Sequence, residues 1–231
     1  MNIDFTSAKA IMIPEGRVVR ITRKLDSSLI WEKPSGSLPS GYTLVDYIES
    51  NGTQYIDTNY RVSSDNLKIV ARFLLTEIQA WHALWGCEET NSGPWALTPL
   101  VNGASALTFY SGYSDQIGSI PVTDNVIYLL ECQSNNGILT YECGDVSGEV
   151  YSNGSICKTD NIYVFTINSF KDSSILGQAS KMRLYYFQIY DNDVLVRDYV
   201  PCTNANGEAG LYDKVNNAFY GNAGTGSFIT G

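Results

Sequence analysis

Apolar and polar positions alternate along this chain in short runs, and turn residues bound almost every run. No stretch of roughly a dozen residues carries the spacing of an amphipathic helix, so the pattern predicts strands throughout. Three short strands are expected at the start, at Lys9 to Ile13, Arg17 to Arg23 and Ser28 to Glu32. Pro14-Glu15-Gly16 and Asp26-Ser27-Ser28 supply the turns between them. Further strands are predicted at 44–49, 53–58, 66–75, 81–87, 95–98, 106–111, 125–133, 138–143, 147–152, 162–168, 181–190, 194–200, 208–212, 217–220 and 227–229. Turn pairs such as Asn51-Gly52, Asn102-Gly103, Asn136-Gly137, Asn153-Gly154, Asp191-Asn192, Asn206-Gly207 and Asn216-Asn217 separate them. Many evenly spaced strands mean an all-β sandwich or jelly roll. The run Lys181 to Tyr190 assigns Met182, Leu184, Tyr186, Gln188 and Tyr190 to one face. Arg183, Tyr185, Phe187 and Ile189 fall on the other. Apolar bulk on both faces predicts a central strand covered on both sides.

Composition divides the chain in two. Residues 1–38 hold 6 Lys/Arg and 4 Asp/Glu, net +2, and the other residues hold 9 and 20, net −11. Lys33 to Gly41 (KPSGSLPSG) has linker composition. A small N-terminal β unit (1–38) followed by one large domain (39–231) is therefore expected. Three short strands can hardly bury a core of their own. The unit is read as an anchor, with Ile11, Ile13, Val18, Ile21, Ile30 and Trp31 as its candidate contact residues.

The overall charge of −9 opposes phosphate neutralisation, which excludes nucleic acid as the expected partner. The apolar runs are too short for a helix to span a bilayer, and Asp4, Lys9, Pro14, Glu15 and Gly16 interrupt any leader-type apolar segment. Neither a membrane nor secretion by that route is expected. The five cysteines (Cys87, Cys132, Cys143, Cys157 and Cys202) are odd in number and form no CxxC pair. Reduced, buried thiols are expected. A hairpin turning at Asn136-Gly137 sets Cys132 opposite Tyr141 and leaves Cys143 a diagonal neighbour, too distant for a disulfide.

Two longer motifs bracket the large domain. LPSGYTLVDYIESNGTQYIDTNY (Leu38 to Tyr60) and RDYVPCTNANGEAGLYDKVNNAFYGNAGTGSF (Arg197 to Phe228) resemble segments of phage and prophage structural proteins of gut bacteria. The run AKAIMIPEGRVVRITRKLDSSLIWEK resembles the short β segments that begin many phage structural proteins. The resemblance implies a concanavalin A-like, laminin-G-like jelly roll in which the first and last strands pair. It implies a virion- or tail-associated protein and carries over no catalytic or binding residue. For the motif residues themselves a structural role is preferred, with Asp213 and Asn222 holding turns through side-chain to backbone bonds.

Concanavalin-like folds also host glycoside hydrolases, which need two nearby carboxylates. Glu131 and Glu142, set opposite each other by the same hairpin, are the one such pair that the sequence offers. The lone histidine, His82, lacks a G-x-S-x-G nucleophile and reads as a packed or hydrogen-bonded residue. Calcium, common in laminin-G-like modules, would need converging oxygens. Asp191-Asn192-Asp193 and Asp115 are candidates, although a hairpin turn explains the first better. No other cofactor is expected. From Phe73 through Cys157 there is no Lys or Arg, while nine acids occur, so this surface tolerates neutral glycans or cations and repels polyanions. Trp81, Trp85, Trp95, Tyr110 and Tyr113 lie in that stretch and are the candidate glycan-contact residues. Sugars stack their C–H faces on such rings.

The expected protein is a non-enzymatic structural protein on a virion surface, assembled in the bacterial cytoplasm. In that reading, residues 1–38 bind other virion proteins and the protein is an oligomer in the particle. The jelly roll binds host-surface or mucosal glycans. Two alternatives stay open: a decoration or fibre-head protein without glycan binding, and a glycan-cleaving enzyme.

Overall fold

The alternating pattern is realised as twenty strands, and no helix occurs among the described residues. The computed structural model describes residues 20–22, 29–32, 37–89, 94–102, 106–169 and 179–231. Strands β1 (Arg20–Thr22) and β2 (Leu29–Glu32) form an antiparallel pair with Ile21 opposite Trp31. This is the second hairpin predicted for the N-terminal unit. The strand expected at Lys9 to Ile13, with Ile11, Ile13 and Val18, lies outside the described residues. The large domain contains β3 (Tyr42–Leu44), β4 (Ile48–Asn51), β5 (Ile56–Asp57), β6 (Asn66–Leu75), β7 (Trp85–Glu88), β8 (Trp95–Asn102), β9 (Ala106–Gly112), β10 (Ser114–Pro121), β11 (Ile127–Asn135), β12 (Ile138–Cys143), β13 (Val146–Tyr151), β14 (Tyr163–Val164), β15 (Asn168–Ser169), β16 (Lys181–Asp191), β17 (Val194–Asn204), β18 (Ala209–Asp213), β19 (Ala218–Tyr220) and β20 (Ile229–Thr230).

Two sheets face each other. The smaller runs β10-β9-β8-β7-β14-β5, with β15 joined in parallel to β7. The larger runs β13-β12-β11-β6-β16-β17-β18-β19, with β3 on β17 and β4 on both β16 and β20. The first strands of the domain thus pair with its last ones, as the resemblance implied. The core lies between the sheets. Ile69, Ala71, Phe73 and Leu75 of β6 and Met182, Leu184, Phe187 and Ile189 of β16 face Trp85, Leu97, Val101, Leu107 and Phe109. Trp85 meets Phe73 and Phe187 edge-on, with ring centroids 6.1 and 5.3 Å apart. Each such pair adds about 1 kcal/mol to its area burial.

The hairpin at Asn136-Gly137 forms in the predicted register, with Cys132 opposite Tyr141 and Glu131 opposite Glu142. Both turn residues have positive φ (48° and 82°), the geometry that matches strand twist in a two-residue loop.

Two expectations fail for physical reasons. The strict two-residue alternation assigned to Lys181–Tyr190 breaks at a bulge between Leu184 and Tyr186. The bulge turns Phe187 and Ile189 into the core beside Met182 and Leu184, and moves Tyr186, Gln188 and Tyr190 to the outer face. No strand is predicted between 111 and 125, yet Ser114–Pro121 forms β10, a polar run that carries a glycine and a proline. It is an edge strand with two register shifts, where such residues are tolerated.

The two bracketing motifs interlock. Asn222 Oδ1 accepts from the backbone N–H of Tyr55 and Gly224, and its Nδ2 donates to the Gly226 carbonyl. Thr53 Oγ1 donates to the Thr225 carbonyl. Fully buried Asp213 accepts the backbone N–H groups of Asp198 and Val215, each at 3.0 Å. These residues hold turns, as expected.

Candidate functional site

Strands β8 and β9 bring Trp95 and Tyr110 together on the outer face of the smaller sheet. Their ring centroids are 4.5 Å apart and the planes are inclined at 49°. Both rings are half-buried and rest on the buried patch of Ala83, Leu100 and Ile167. They point outward because their neighbours Ala96, Leu97 and Phe109 take the core. Glu88 of β7 stands directly opposite Trp95, so the two side chains share that face. Ser169 of β15 is opposite Glu88 in turn, and its hydroxyl donates to Glu88 Oε2 at 2.6 Å. Glu88 is only 2% exposed. A carboxylate is costly to bury and is held in such a place by hydrogen bonds.

On the far side of Trp95 the paired residue is Gly112. A β-carbon there would strike the Ser152 carbonyl, and its φ of 59° favours glycine. Tyr113 follows at the turn into β10; it is 60% exposed and lies against Gly154. One end of the smaller sheet thus carries Ser169, Glu88, Trp95, Tyr110 and Tyr113. The arrangement offers two inclined aromatic faces beside a buried, mutually bonded Glu88–Ser169 pair.

The remaining candidates fall elsewhere. Trp81 is 49% exposed and adopts φ 67°, with its N–H bonded to the Val101 carbonyl. Val101 lies six residues along β8 from Trp95, about 20 Å at the usual strand rise. Trp85 is fully buried between Phe73 and Phe187 and cannot meet a ligand, which corrects its place among the contact residues. Its odd-numbered neighbour Cys87 is equally buried, so this parity of β7 is the core parity. His82 places Nδ1 2.9 Å from the Ala80 carbonyl, the hydrogen-bonded role expected of it.

Glu131 and Glu142 face each other on the outer side of the larger sheet, beside Val70 of β6. The core, about 10 Å thick, separates that side from Trp95 and Tyr110.

Asp191 is tied into its turn. Its carboxylate accepts from Tyr60, from the backbone and hydroxyl of Ser63, and from the Ser64 hydroxyl. Burial pushes its pKa up, but the bonds from Ser64, Tyr60 and Ser63 outweigh burial and hold it below 3.8. A cation would have to displace those donors. Asp193 accepts instead from Asn66 at 3.1 Å. The side chain of Asp115 lies outside the described residues. A shallow cleft of about 450 Å³ is lined by Asn206, Glu208, Asn222, Ser227 and Phe228, but Asn222 and Glu208 are engaged in local bonds there.

No family model matches the chain, and no curated protein matches it. Among solved structures it is similar to a "putative carbohydrate binding protein" from Bacteroides ovatus, with 10% identity and a TM-score of 0.55 over 82% of this chain. The chain spans 60% of the length of that protein. It is also similar to the heptameric SAP-like pentraxin of Limulus polyphemus, with 10% identity and a TM-score of 0.46, over 68% of this chain and 77% of that one. The fold is an all-β jelly-roll sandwich. The first likeness carries that statement, at a level of identity that speaks to fold alone.

Glu88 and Ser169 were missed as site residues. Their signal is weak in sequence: Glu88 follows an apolar run, and Ser169 reaches it only through the parallel pairing of β15 with β7.

Proposed function

We propose that this jelly roll is a glycan-binding, non-catalytic module whose contact surface is the Trp95–Tyr110 end of the smaller sheet. The single observation that carries the reading is the inclined pair of half-buried aromatic rings beside a buried carboxylate. A pyranose presents apolar C–H faces and a ring of hydroxyls. The first stack on Trp95 and Tyr110, while Glu88 and Ser169, both buried, bond each other and brace the strand edge beside the rings. The likeness to the Bacteroides ovatus protein supports the same class of ligand. Cleavage is disfavoured by placement, since a sugar stacked on Trp95 cannot present a glycosidic bond to Glu131 and Glu142 on the opposite outer face. The finer placement on a phage particle, with residues 1–38 as anchor, rests on the two bracketing motifs and the charge split.

The test is equilibrium binding of the full chain to immobilised neutral oligosaccharides and to bacterial surface polysaccharides. Saturable binding is expected, weakened at least about tenfold by Trp95→Ala or Tyr110→Ala, the loss of roughly 1.4 kcal/mol. Trp81→Ala is expected to bind as the parent does. Absence of saturable binding at millimolar sugar, or binding untouched by both substitutions, would overturn the reading. The first result would favour a decoration protein without glycan affinity.

A further inference from the structure

Cys87 lies on β7 and Cys157 in the segment between β13 and β14. Their sulfur atoms are 3.3 Å apart across 70 residues of sequence, and both side chains are fully buried. The other thiols are placed differently among the described residues. Cys132 faces Tyr141 and Cys143 faces Leu130, a diagonal relation across β11 and β12. Cys202 belongs to a separate cluster with Val200 and Tyr212.

We propose that Cys87 and Cys157 form a disulfide when the chain folds in the presence of a low-molecular-weight disulfide, and that this bond pins β7 beneath the Trp95 site. A protein disulfide needs its sulfurs at about 2.05 Å, so they must approach by roughly 1.2 Å, within the reach of side-chain rotation. The partners differ in how they are held. Strand β7 is held by β8 and β14 and also pairs with β15, whereas residues 153–162 form no strand and are held by Asp65, which bonds the Ile156 N–H and Lys158 on either side of Cys157.

The two thiols are also chemically unequal. The hydrogen bond from Cys87 holds Cys157 down to about 7 against its burial, with help from the backbone N–H groups of Asp160 and Thr159. The same bond, together with burial, pushes Cys87 well up. That asymmetry exists only once the two sulfurs are in place, so in the folding chain either thiol can attack first. With oxidised glutathione as oxidant and Cys157 leading, Cys157 Sγ attacks one glutathione sulfur. A mixed disulfide forms as the glutathione S–S bond breaks, and one glutathione thiolate leaves. Cys87 then gives its proton to solvent and attacks Cys157 Sγ. The protein S–S bond forms, the mixed disulfide breaks, and the second glutathione thiolate leaves. The protein loses two electrons and two protons, and glutathione disulfide becomes two thiols. Because both sulfurs are buried, the exchange belongs to the folding chain, and completion of the fold seals the product.

The consequence reaches the site. Glu88 follows Cys87 directly, Trp95 is opposite Glu88, and Asn168 is opposite Cys87. The bond would tie the strand under the aromatic pair to the loop that enters β14.

The experiment refolds the reduced, denatured full chain in mixed reduced and oxidised glutathione, then unfolds, alkylates and weighs it. The expected mass is two hydrogens below the reduced chain, with three thiols alkylated. No lysine or arginine separates Cys87 from Cys157, so trypsin alone leaves them on one peptide. Glutamyl cleavage after Glu88, Glu131, Glu142 and Glu149, followed by trypsin at Lys158, isolates each cysteine. One linked pair is expected, joining Cys87 to Cys157. Reductant is expected to lower the Tm of the parent by roughly 10 °C, given the loop of about 70 residues, and to leave a Cys157→Ala variant unmoved. Five alkylated thiols after refolding, or a link between any other pair, would overturn the proposal. Should Cys157→Ala fail to fold, the peptide map of the parent decides alone.

Discussion

Two tryptophans ten residues apart illustrate how little a residue type says about its role. Trp85 is wedged between Phe73 and Phe187 with no exposed surface, whereas Trp95 lies half-buried on the outer face against Tyr110. Truncation to alanine should separate the roles. Trp85→Ala is expected to cost about 4 kcal/mol through the cavity it leaves, while Trp95→Ala costs about 1 kcal/mol of stability and weakens sugar binding at least about tenfold. Denaturant unfolding beside a binding isotherm checks both, and equal losses of stability would contradict the assignment. Asp191 makes a second residue-scale prediction. Its folded-state pKa lies below the ordinary 3.8, so its stabilisation is present above that pH and disappears as pH falls through the depressed value. Asp191→Asn is expected to be less stable at about pH 7 and to lose less further stability by about pH 3. Urea midpoints at the two pH values read this directly. A parallel shift of variant and parent would count against it.

At the scale of elements, turns and alternation carry different amounts of information. Gly137 has φ 82° in the hairpin between β11 and β12, so Gly137→Ala is expected to cost about 1 kcal/mol and leave sugar affinity unchanged. Unfolding and binding measured on the same variant test both halves, and an unchanged midpoint would show that the turn does not hold the register. That hairpin was legible because Asn-Gly demands one turn type, and the turn type dictates that Cys132 meets Tyr141. The Lys181–Tyr190 run was half legible. Its central position between β6 and β17 followed from apolar bulk on both faces, but the bulge after Leu184 inverted which residues reach the core. Nothing in the local pattern marks a bulge when both parities are apolar. The candidate site was legible in its aromatics, since Trp95, Tyr110 and Tyr113 do gather at one end of the smaller sheet. Glu88 and Ser169 were not, because long-range strand pairing alone brings them there.

For the whole molecule, the fold closes by joining its ends. Asn222 bonds Tyr55, Thr53 bonds Thr225, and β20 lies beside β4, so the two motifs form one seam and leave the intervening strands to carry the site. Between Phe73 and Cys157, which include β7, β8 and β9, nine acids stand without one lysine or arginine. These acids do not form one surface, since Glu88 is buried beside Trp95 and Glu131 and Glu142 stand on the opposite outer face. On the glycan-binding reading proposed above, it is the chain's overall charge of −9 that favours a neutral ligand. Sulfated or uronic-acid-rich polysaccharides are repelled by that net charge, whereas neutral sugars meet only the rings. Stacking and hydrogen bonding over a few ångströms lie inside the Debye length, about 8 Å at physiological salt, and involve no net ligand charge. Affinity for a neutral oligosaccharide is therefore expected to change less than about twofold between roughly 50 and 500 mM salt. Affinity for a polyanionic one should be undetectable at low salt and should rise as salt screens the repulsion. Titrations of both sugar classes across that range make the comparison. Tight polyanion binding that weakens with salt would place the contact surface on a basic segment such as the net-positive residues 1–38.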